Sequence, residues 1–544
     1  MSETSSDIRI SVAAEAPAGS QATMIFIPQG SKPADGAAAG AMVGDGSEAI
    51  SAGAARLLAS GVSTGKAREI YFDILSGDDL HRRVYLAGLG PSEKITPEVL
   101  RQCGAAVVRT LQRHNVSSAA LLPPKISGVE LGEFVEYLVI GAELAGFCFT
   151  QYWGTVHNAK EEKKPTGLQL TILASKDQHK QVQAAVDRGR LVAEAQNMAR
   201  TLASRPGNDI NPPVLAQIAK DLARKTGLAC KILDEKELAK LNMGGILGVG
   251  GGSIHAPPRL IALEYNPAPP ASSASVKSHK KAANHHNGET LLLVGKAITF
   301  DTGGISIKPA EKMGKMIYDK CGGIDVLGVM RAVAQIKPPI RVVGLLAAAE
   351  NVISSMAYRP GDILTMYNGV TVEITNTDAE GRLVLGDAIA WGIETYQPSA
   401  VIDLATLTGG VITALGRSTA GIMSNSDELV AELSKAADVE GEKIWRLPLW
   451  EEHREQIKSD CADIVNSAGR EAHPLQGGAF LSYFLPSDRV IPWAHLDIAG
   501  VSDTEKELPC YGKGATGWGV RTLVRWINAR AQVGNEAKNH AATA

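Results

Sequence analysis

The sequence has few of the features that mark membrane, secreted or nucleic-acid-binding proteins. No run in the 544 residues reaches the roughly 20 apolar residues of a membrane helix, and the start MSETSSDIRISV lacks the layout of a secretory signal. The six cysteines are scattered without a C-x-x-C pair, which favours reduced thiols over a disulfide framework. Positive and negative side chains nearly balance, at 55 and 58, so neither nucleic acid nor a membrane surface is expected as a partner. We therefore expect a cytoplasmic protein.

The length predicts more than one domain, because a single domain typically holds about 100–200 residues. Residues 1–180 mix short strand-type and helical runs, and residues 181–204 have the composition of a long helix that ends at the breakers Pro206 and Gly207. We predict an N-terminal α/β domain at 1–180, a linking helix at 181–204, a larger C-terminal domain at 205–532 and a tail at 533–544.

Regular spacing of apolar residues predicts the elements of both domains. In the first part, the predicted strands are 8–12, 24–28, 69–75, 84–89 and 168–174, with a helix at 131–147. In the second part, the predicted strands are 230–233, 260–265, 291–297, 341–348, 370–375 and 400–405, and the helices are 214–224, 236–241, 322–335, 381–395 and 427–437. Continuous apolar strands between helices predict an α/β fold with a mostly parallel central sheet covered by helices.

One segment interrupts this alternation. Residues 266–289 read NPAPPASSASVKSHKKAANHHNGE and offer too few apolar side chains to pack into a core. We interpret them as a flexible surface insert, in which His279, His285 and His286 have no expected functional role.

Acidic and basic residues gather next to the predicted strand ends. Asp378, Glu380 and Arg382 stand between a predicted strand and helix, Asp301 follows the strand at 291–297, and Asp319 precedes the helix at 322–335. The carboxyl ends of parallel strands are where α/β proteins bind ligands. If the strands are parallel, these residues share one sheet edge with the two lysines Lys296 and Lys308.

Four carboxylates at one site need neutralising cations. Two unit charges 4 Å apart cost about 4 kcal/mol even at an effective dielectric near 20. Two divalent ions would balance four carboxylates, and oxygen ligands suit Mg²⁺, Mn²⁺ or Zn²⁺. Taken singly, however, Asp378 could be a helix cap and Asp301 an ordinary turn residue.

Five blocks of the sequence resemble the leucyl (cytosol) aminopeptidase family of dinuclear metallopeptidases. The blocks are NTDAEGRL at 376–383, KAITFDTGGISIKP at 296–309, YDKCG at 318–322, DLATLTG at 403–409 and WAHLDIAG at 493–500. They occur in the family's order within residues 190–530, and the octapeptide NTDAEGRL is highly specific. The N-terminal part is similar only in general shape, because that domain varies within the family.

The resemblance implies roles for individual residues. Lys296, Asp301, Asp319 and Glu380 match the ligands of one metal ion, and Asp301, Asp378 and Glu380 match those of the other. Two further residues match the catalytic groups: Lys308 would polarise the scissile carbonyl, and Arg382 would hold a bicarbonate ion that shuttles protons. The residues matching the pocket for the first side chain are Met316, Thr406, Gly409 and Ala499.

The resemblance also implies the activity and the assembly. It implies a metal-dependent aminopeptidase that releases N-terminal residues, preferably leucine or similar apolar ones, by attack of a metal-bridging hydroxide. The substrates would be peptides with a free N-terminus. The cofactors would be two divalent ions, Zn²⁺ or Mn²⁺, with Mg²⁺ or Co²⁺ as alternatives in one site, and the assembly would be a homohexamer. The insert at 266–289 is longer than the family's usual connection and bears on subunit packing.

The residues support three alternative functions less well. A different two-metal hydrolase such as a phosphoesterase would generally use histidine ligands, which these blocks lack; His495 in WAHLDIAG is interpreted as structural. A nucleotide site at the glycine cluster 244–252 is disfavoured because the cluster follows a helical run and not a strand. The N-terminal domain shows no interleaved basic and aromatic residues for nucleic-acid binding.

Overall fold

The computed structural model describes residues 8–40, 47–75, 82–156, 167–267 and 289–543. The predictions about His279, His285 and His286 lie outside these ranges. The chain forms two compact units: one contains the residues up to 198 together with 439–441 and 505–513, and the other contains the remainder from residue 199 onward. None of the described helices is both long and apolar enough to cross a membrane.

The N-terminal unit contains a six-stranded sheet. Its strands are β1 (Ile8–Ala13), β2 (Ala22–Ile27), β3 (Ile70–Ile74), β4 (Arg83–Gly88), β5 (Ser118–Leu122) and β6 (Leu168–Leu173). The spatial order is β1-β6-β5-β2-β4-β3, and every pairing is parallel except that of β3 with β4. The five predicted strands are observed, whereas β5 was not predicted.

Helices α1 (Pro33–Gly40), α2 (Ser47–Ala59), α3 (Pro97–Arg113) and α4 (Leu131–Ala145) accompany this sheet. Helices α3 and α4 cross at glycines: a Cβ at Gly141 would lie 1.8 Å from Arg101 O, and one at Gly104 would lie 2.1 Å from Leu138 O. Only glycine permits this close approach of the two backbones. The next helix, α5 (His179–Ser204), covers the segment in which a helix was predicted, and the division between the units falls within it.

The C-terminal unit alternates strands and helices. Its strands are β7 (Ala229–Leu233), β8 (Arg259–Tyr265), β9 (Thr290–Asp301), β10 (Arg341–Asn351), β11 (Ile363–Thr365), β12 (Thr371–Glu373), β13 (Ala400–Ala405), β14 (Thr419–Ser424), β15 (Lys443–Arg446), β16 (Ile464–Val465), β17 (Trp493–Asp497), β18 (Asp503–Thr504) and β19 (Gly514–Ala515). Its helices are α6 (Pro212–Thr226), α7 (Glu235–Lys240), α8 (Gly244–Gly250), α9 (Cys321–Ile336), α10 (Gly381–Tyr396), α11 (Gly409–Leu415), α12 (Asp427–Glu440), α13 (Glu451–Glu455), α14 (His473–Ser482) and α15 (Val520–Thr543). Residues 533–543, predicted as a tail, therefore belong to the range of α15.

Eight strands form the central sheet in the order β15-β14-β17-β13-β9-β10-β8-β7. The four middle strands β17, β13, β9 and β10 run parallel, whereas β14 and β8 are antiparallel to their inner neighbours. Helices α9 and α10 cover opposite faces: Gly323 of α9 approaches Ala297, and Gly381 of α10 approaches Lys296, the preceding residue of β9. The predicted α/β class with a mostly parallel central sheet is confirmed.

The placement of the predicted strand at 370–375 was wrong. Only Thr371–Glu373 is a strand, and it pairs with β11 and β16 in a separate three-stranded sheet. The alternation of the buried residues Val372 and Ile374 indicates that one face of the strand is buried. Such a face can be buried in a small sheet as well as in the central one, so the pattern does not identify the sheet. The glycine cluster at 244 forms the short helix α8, where a Cβ at Gly245 would lie 2.5 Å from Leu383 O. This close packing gives those glycines a structural role.

Candidate metal centre

Lys296 and Asp301 both lie on β9, near the sheet edge where the parallel strands end. Side chains alternate between the faces of a regular strand, so residues five apart would point to opposite faces. The pairing with β10 slips here, because Ala349 is opposite Ile298 whereas Asn351 is opposite Asp301. This bulge puts one extra residue into β9 and turns Asp301 toward the face of Lys296.

Asp378 and Glu380 come from the loop in front of α10, which begins at Gly381. A Cβ at Gly381 would lie 2.5 Å from the Lys296 Cε atom, so the lysine side chain can pass only because this position is glycine. The helix start therefore brings Glu380 directly to Lys296.

Hydrogen bonds tie this loop to the segment that follows β9. Thr377 Oγ1 donates to Gly303 O (2.6 Å) and accepts from Ser306 N (2.8 Å). Within the loop, Asp378 N donates to Asn376 Oδ1 (2.9 Å). The loop that carries Asp378 and Glu380 is thus held against the segment that follows Asp301.

Lys296 forms the centre of one half of the site. Its Nζ atom lies 2.8 Å from Asp319 Oδ1 and 2.8 Å from Glu380 Oε1, and it donates to Thr406 O (2.9 Å). Thr406 Oγ1 donates to the same Asp319 oxygen (2.7 Å). Three separate segments therefore converge on one buried lysine.

Lys308 forms the centre of the other half. Its Nζ atom lies 2.7 Å from Asp301 Oδ2 and 2.5 Å from Asp378 Oδ1. The structure thus brings together all four acidic residues and both lysines that the sequence placed at one sheet edge.

The charges of the site shift its pKa values in opposite directions. Burial, reinforced by the neighbouring carboxylates, raises the pKa of Asp378 to about 6 and raises those of Asp301 and Asp319. Burial also acts on Glu380, but the two ammonium groups outweigh it and lower the pKa of that carboxyl. Burial would lower the lysine pKa values, yet the surrounding carboxylates outweigh it and raise them.

The residues present suit a divalent metal. Carboxylate oxygens of Asp301, Asp378 and Glu380 lie within 4.8 Å of one another. In the part of the chain that the structure describes, Asp319 Oδ2 and Glu380 Oε2 are buried without any hydrogen-bond partner. Buried acceptor atoms that lack a donor are costly, and bound cations would satisfy them.

Arg382 lies in the first turn of α10 and is 1% exposed. Its Nη1 atom donates to Asn466 O (2.9 Å), whereas its Nε atom has no partner among the described residues. Burial lowers the pKa of this guanidinium to about 10, which still leaves it charged at neutral pH. A buried guanidinium with a free donor is suited to hold a small anion.

The residues predicted for the substrate pocket lie on several elements. Met316 belongs to the 3₁₀ helix Met313–Lys320 that carries Asp319, and Gly409 begins α11. Thr406 contacts Asp319 directly, as described above. Ala499 N donates to Asp497 Oδ1 (3.2 Å), which also accepts from Leu407 N (3.1 Å), so Ala499 is tied to the loop that contains Thr406.

Some residues at the site were not predicted. Asn466 Nδ2 donates to Asn376 O (2.6 Å), and Asn351 Nδ2 donates to Asp301 Oδ1 (2.8 Å). These are lone amides far from the motifs in sequence, and the only signal for Asn351 is a polar residue that ends an apolar strand. His495 pairs through Nδ1 with Asp403 Oδ1 (2.5 Å) in the core, which agrees with its structural interpretation.

Family models match both parts of the chain. The catalytic-domain model of the cytosol aminopeptidase family matches residues 197–524, and the N-terminal-domain model of the same family matches residues 26–153. The chain belongs to the cytosol aminopeptidase family. The resemblance found in the sequence blocks is therefore confirmed.

Individual relatives agree with this family. A probable cytosol aminopeptidase of Solibacter usitatus is 41% identical to the chain, over 87% of this chain and 92% of that protein. A probable cytosol aminopeptidase of Aquifex aeolicus is 39% identical, over 82% of this chain and 84% of that protein. A solved structure of the bottromycin maturation enzyme BotP in complex with Mn is similar with a TM-score of 0.78 and 28% identity, over 94% of this chain and all of that one. Membership of the cytosol aminopeptidase family identifies a metal-dependent aminopeptidase, a hydrolase of peptide bonds.

The raised pKa values predict how metal binding depends on pH. Protons compete with the metal for its ligands, so the apparent Mn²⁺ affinity should fall as the pH drops through about 6, where Asp378 gains a proton. The family resemblance implies that Lys296 is also a ligand; it would have to lose a proton to bind, so affinity should still rise by about tenfold per pH unit above pH 7. Calorimetric titration in buffers of different ionisation enthalpy measures both effects.

The control for the lysine is Lys296→Met, which should bind Mn²⁺ more weakly and without pH dependence above pH 7. A wild-type affinity that is constant from pH 7 to 9 would contradict the assignment of Lys296 as a ligand.

Proposed function

We propose that this member of the cytosol aminopeptidase family is a dinuclear enzyme that releases N-terminal leucine or similar apolar residues from peptides. The observation that carries the proposal is the convergence of four carboxylates on two lysines, the buried Lys296 and the partly exposed Lys308. With all six groups ionised, the four carboxylates would exceed the two ammonium groups by two negative charges before any cation binds. Buried uncompensated charge of this size calls for cations.

The proposed ligands divide into two sets. Lys296, Asp301, Asp319 and Glu380 would hold one ion, and Asp301, Asp378 and Glu380 would hold the other, so that Asp301 and Glu380 bridge. The short distances of Lys296 to Asp319 and Glu380 support the first set, and the three clustered carboxylates support the second. Mn²⁺ or Zn²⁺ is proposed, with Mg²⁺ or Co²⁺ possible in one site; the BotP complex with Mn supports Mn²⁺.

When bound, two such ions lower the pKa of a shared water and polarise the carbonyl of the scissile bond. The protein's own groups would do the rest. Both carboxylates that pair with Lys308 are proposed ligands, so metal binding would free its ammonium group to face the substrate carbonyl. There it would stabilise the negative charge that develops on oxygen.

Arg382 is proposed to hold bicarbonate. Its buried Nε donor supports this role, and an anion beside it could take a proton and return it to the leaving amine. The preference for apolar first residues rests on the pocket positions Met316, Thr406, Gly409 and Ala499, none of which carries a charge.

The activity is tested with leucine p-nitroanilide and peptides of known sequence. We expect release of the first residue, no cleavage of N-acetylated peptides, and loss of activity in chelator with recovery on adding Mn²⁺ or Zn²⁺. Glutamyl and lysyl substrates should be cleaved more slowly than leucyl ones. Chelator-resistant cleavage, or cleavage of blocked peptides, would exclude this function.

We also propose a homohexamer in the cytoplasm, as the family resemblance implies. Light scattering under reducing conditions should then give about 344 kDa, six times the subunit mass of 57.3 kDa. A mass of 57.3 kDa alone at micromolar concentration would refute the assembly.

Substitution of Lys308 and substitution of Asp319 should impair the enzyme in different ways. Lys308→Ala should keep both metals yet lose about 10²–10³ in kcat, the scale for removing one donor to a developing oxyanion. Asp319→Ala should weaken only the site it shares with Lys296, so excess metal should partly restore its activity. Metal content by mass spectrometry and kcat are measured together over a metal titration.

The matched control is Lys312→Ala, which removes an exposed lysine from the same segment and should leave both quantities unchanged. Metal loss in Lys308→Ala, or its rescue by added metal, would show that the roles are assigned wrongly.

A further inference from the structure

Asn351 is a buried amide at the end of β10, opposite the bulge in β9. Its Nδ2 atom donates to Asp301 Oδ1 (2.8 Å) and to Thr377 O (3.0 Å). Its backbone oxygen accepts from Thr302 N (2.9 Å) and Thr302 Oγ1 (3.0 Å). One residue therefore contacts both the segment around Asp301 and the loop that carries Asp378 and Glu380.

The orientation of this amide follows from its partners. Both atoms that face Nδ2 are acceptors, a carboxylate and a peptide oxygen, so the amino group must point to them. Asn351 Oδ1 is buried and has no hydrogen-bond partner among the residues that the structure describes. The two donated bonds are thus the polar contacts that orient the side chain.

The same bonds fix Asp301. Its Oδ1 atom accepts from Asn351 Nδ2 and from Gly303 N (2.8 Å), while its Oδ2 atom faces Lys308. Donors on Oδ1 set the plane of the carboxylate, which leaves Oδ2 directed at the site. On the other side, Tyr358 Oη donates to the same Thr377 oxygen (2.7 Å), so the peptide before Asp378 is held by two donors.

We infer that Asn351 is a positioning residue that sets the spacing between Asp301 and Asp378 for the metal pair; this inference rests on the proposed dinuclear function. Metal ligands must lie within about 0.2 Å of their ideal distances, so two ligands from distant segments need a shared support. A neutral hydrogen-bond donor is suited to the position between Asp301 and Thr377 O. Lysine or arginine would bring a competing positive charge, and aspartate would repel Asp301.

The inference is tested by Mn²⁺ titration of metal-free protein in a calorimeter, with no substrate present. Asn351→Ala should lower Mn²⁺ affinity by about 10–100-fold, the usual cost of losing a group that orients a metal ligand. The control is Thr299→Val, which removes another buried polar group from the bulge. Among the described residues, Thr299 Oγ1 donates to Ala349 O (3.3 Å) and to no proposed ligand, so the Mn²⁺ affinity of this variant should stay within about twofold of the wild-type value.

Thermal unfolding of the metal-free variants separates positioning from folding. A purely structural role would lower the unfolding temperature yet leave Mn²⁺ affinity of the folded protein unchanged. If Asn351→Ala does not fold, Asn351→Ser serves instead, since its hydroxyl is too short to reach both acceptors and the same loss is expected.

Steady-state kinetics at saturating Mn²⁺ gives an independent readout. The variants should lose kcat with little change in KM, because misplaced ligands act on the reacting centre and not on the pocket. Wild-type affinity and kcat in a folded Asn351 variant would overturn this inference alone. A wild-type protein that takes up no divalent ion would overturn the proposed function and this inference with it.

Discussion

The organisation of the C-terminal unit depends on the convergence of four carboxylates, three of them buried, in one place. Asp301, Asp319, Asp378 and Glu380 sit at the edge of the central sheet, and Asp301 and Glu380 are only 1% exposed. Buried like charges are tolerated only with nearby positive charge and donated hydrogen bonds. Lys296 and Lys308 supply part of that charge, and the remaining negative charge favours the binding of cations.

Local features of the backbone bring these groups together with little disruption of the strands and helices. The bulge in β9 turns Asp301 to the face of Lys296, and the glycine at the start of α10 leaves room for the lysine side chain. Asn466 and Thr377 then hold the loop between β12 and α10. Because each feature is rigid backbone or a buried hydrogen bond, the acidic groups stay in place against their mutual repulsion.

Much of the fold could be predicted because apolar periodicity reports burial directly. The helices at 322–335 and 381–395 are observed with nearly those bounds, and the strand at 291–297 forms the first part of the longer β9, since each buries a continuous apolar face. The strand at 370–375 shows the limit, because the same pattern cannot say which sheet a strand joins. Strand β5 was not predicted, as its SAALL sequence is short and rich in alanine, which favours no strand by itself.

The sequence by itself determined the chemistry of the site: which acidic and basic residues occur, in which motifs, and hence the family to which the chain belongs. Only the tertiary structure decided how these groups face one another, because that depends on sheet order, on the bulge and on helix placement. It also decided the contacts of Asn351, which lies at a strand end and belongs to none of the sequence motifs. The proposed role of Asn351 depends on two acceptors that lie 50 and 26 positions away along the chain and contact it only in the folded protein.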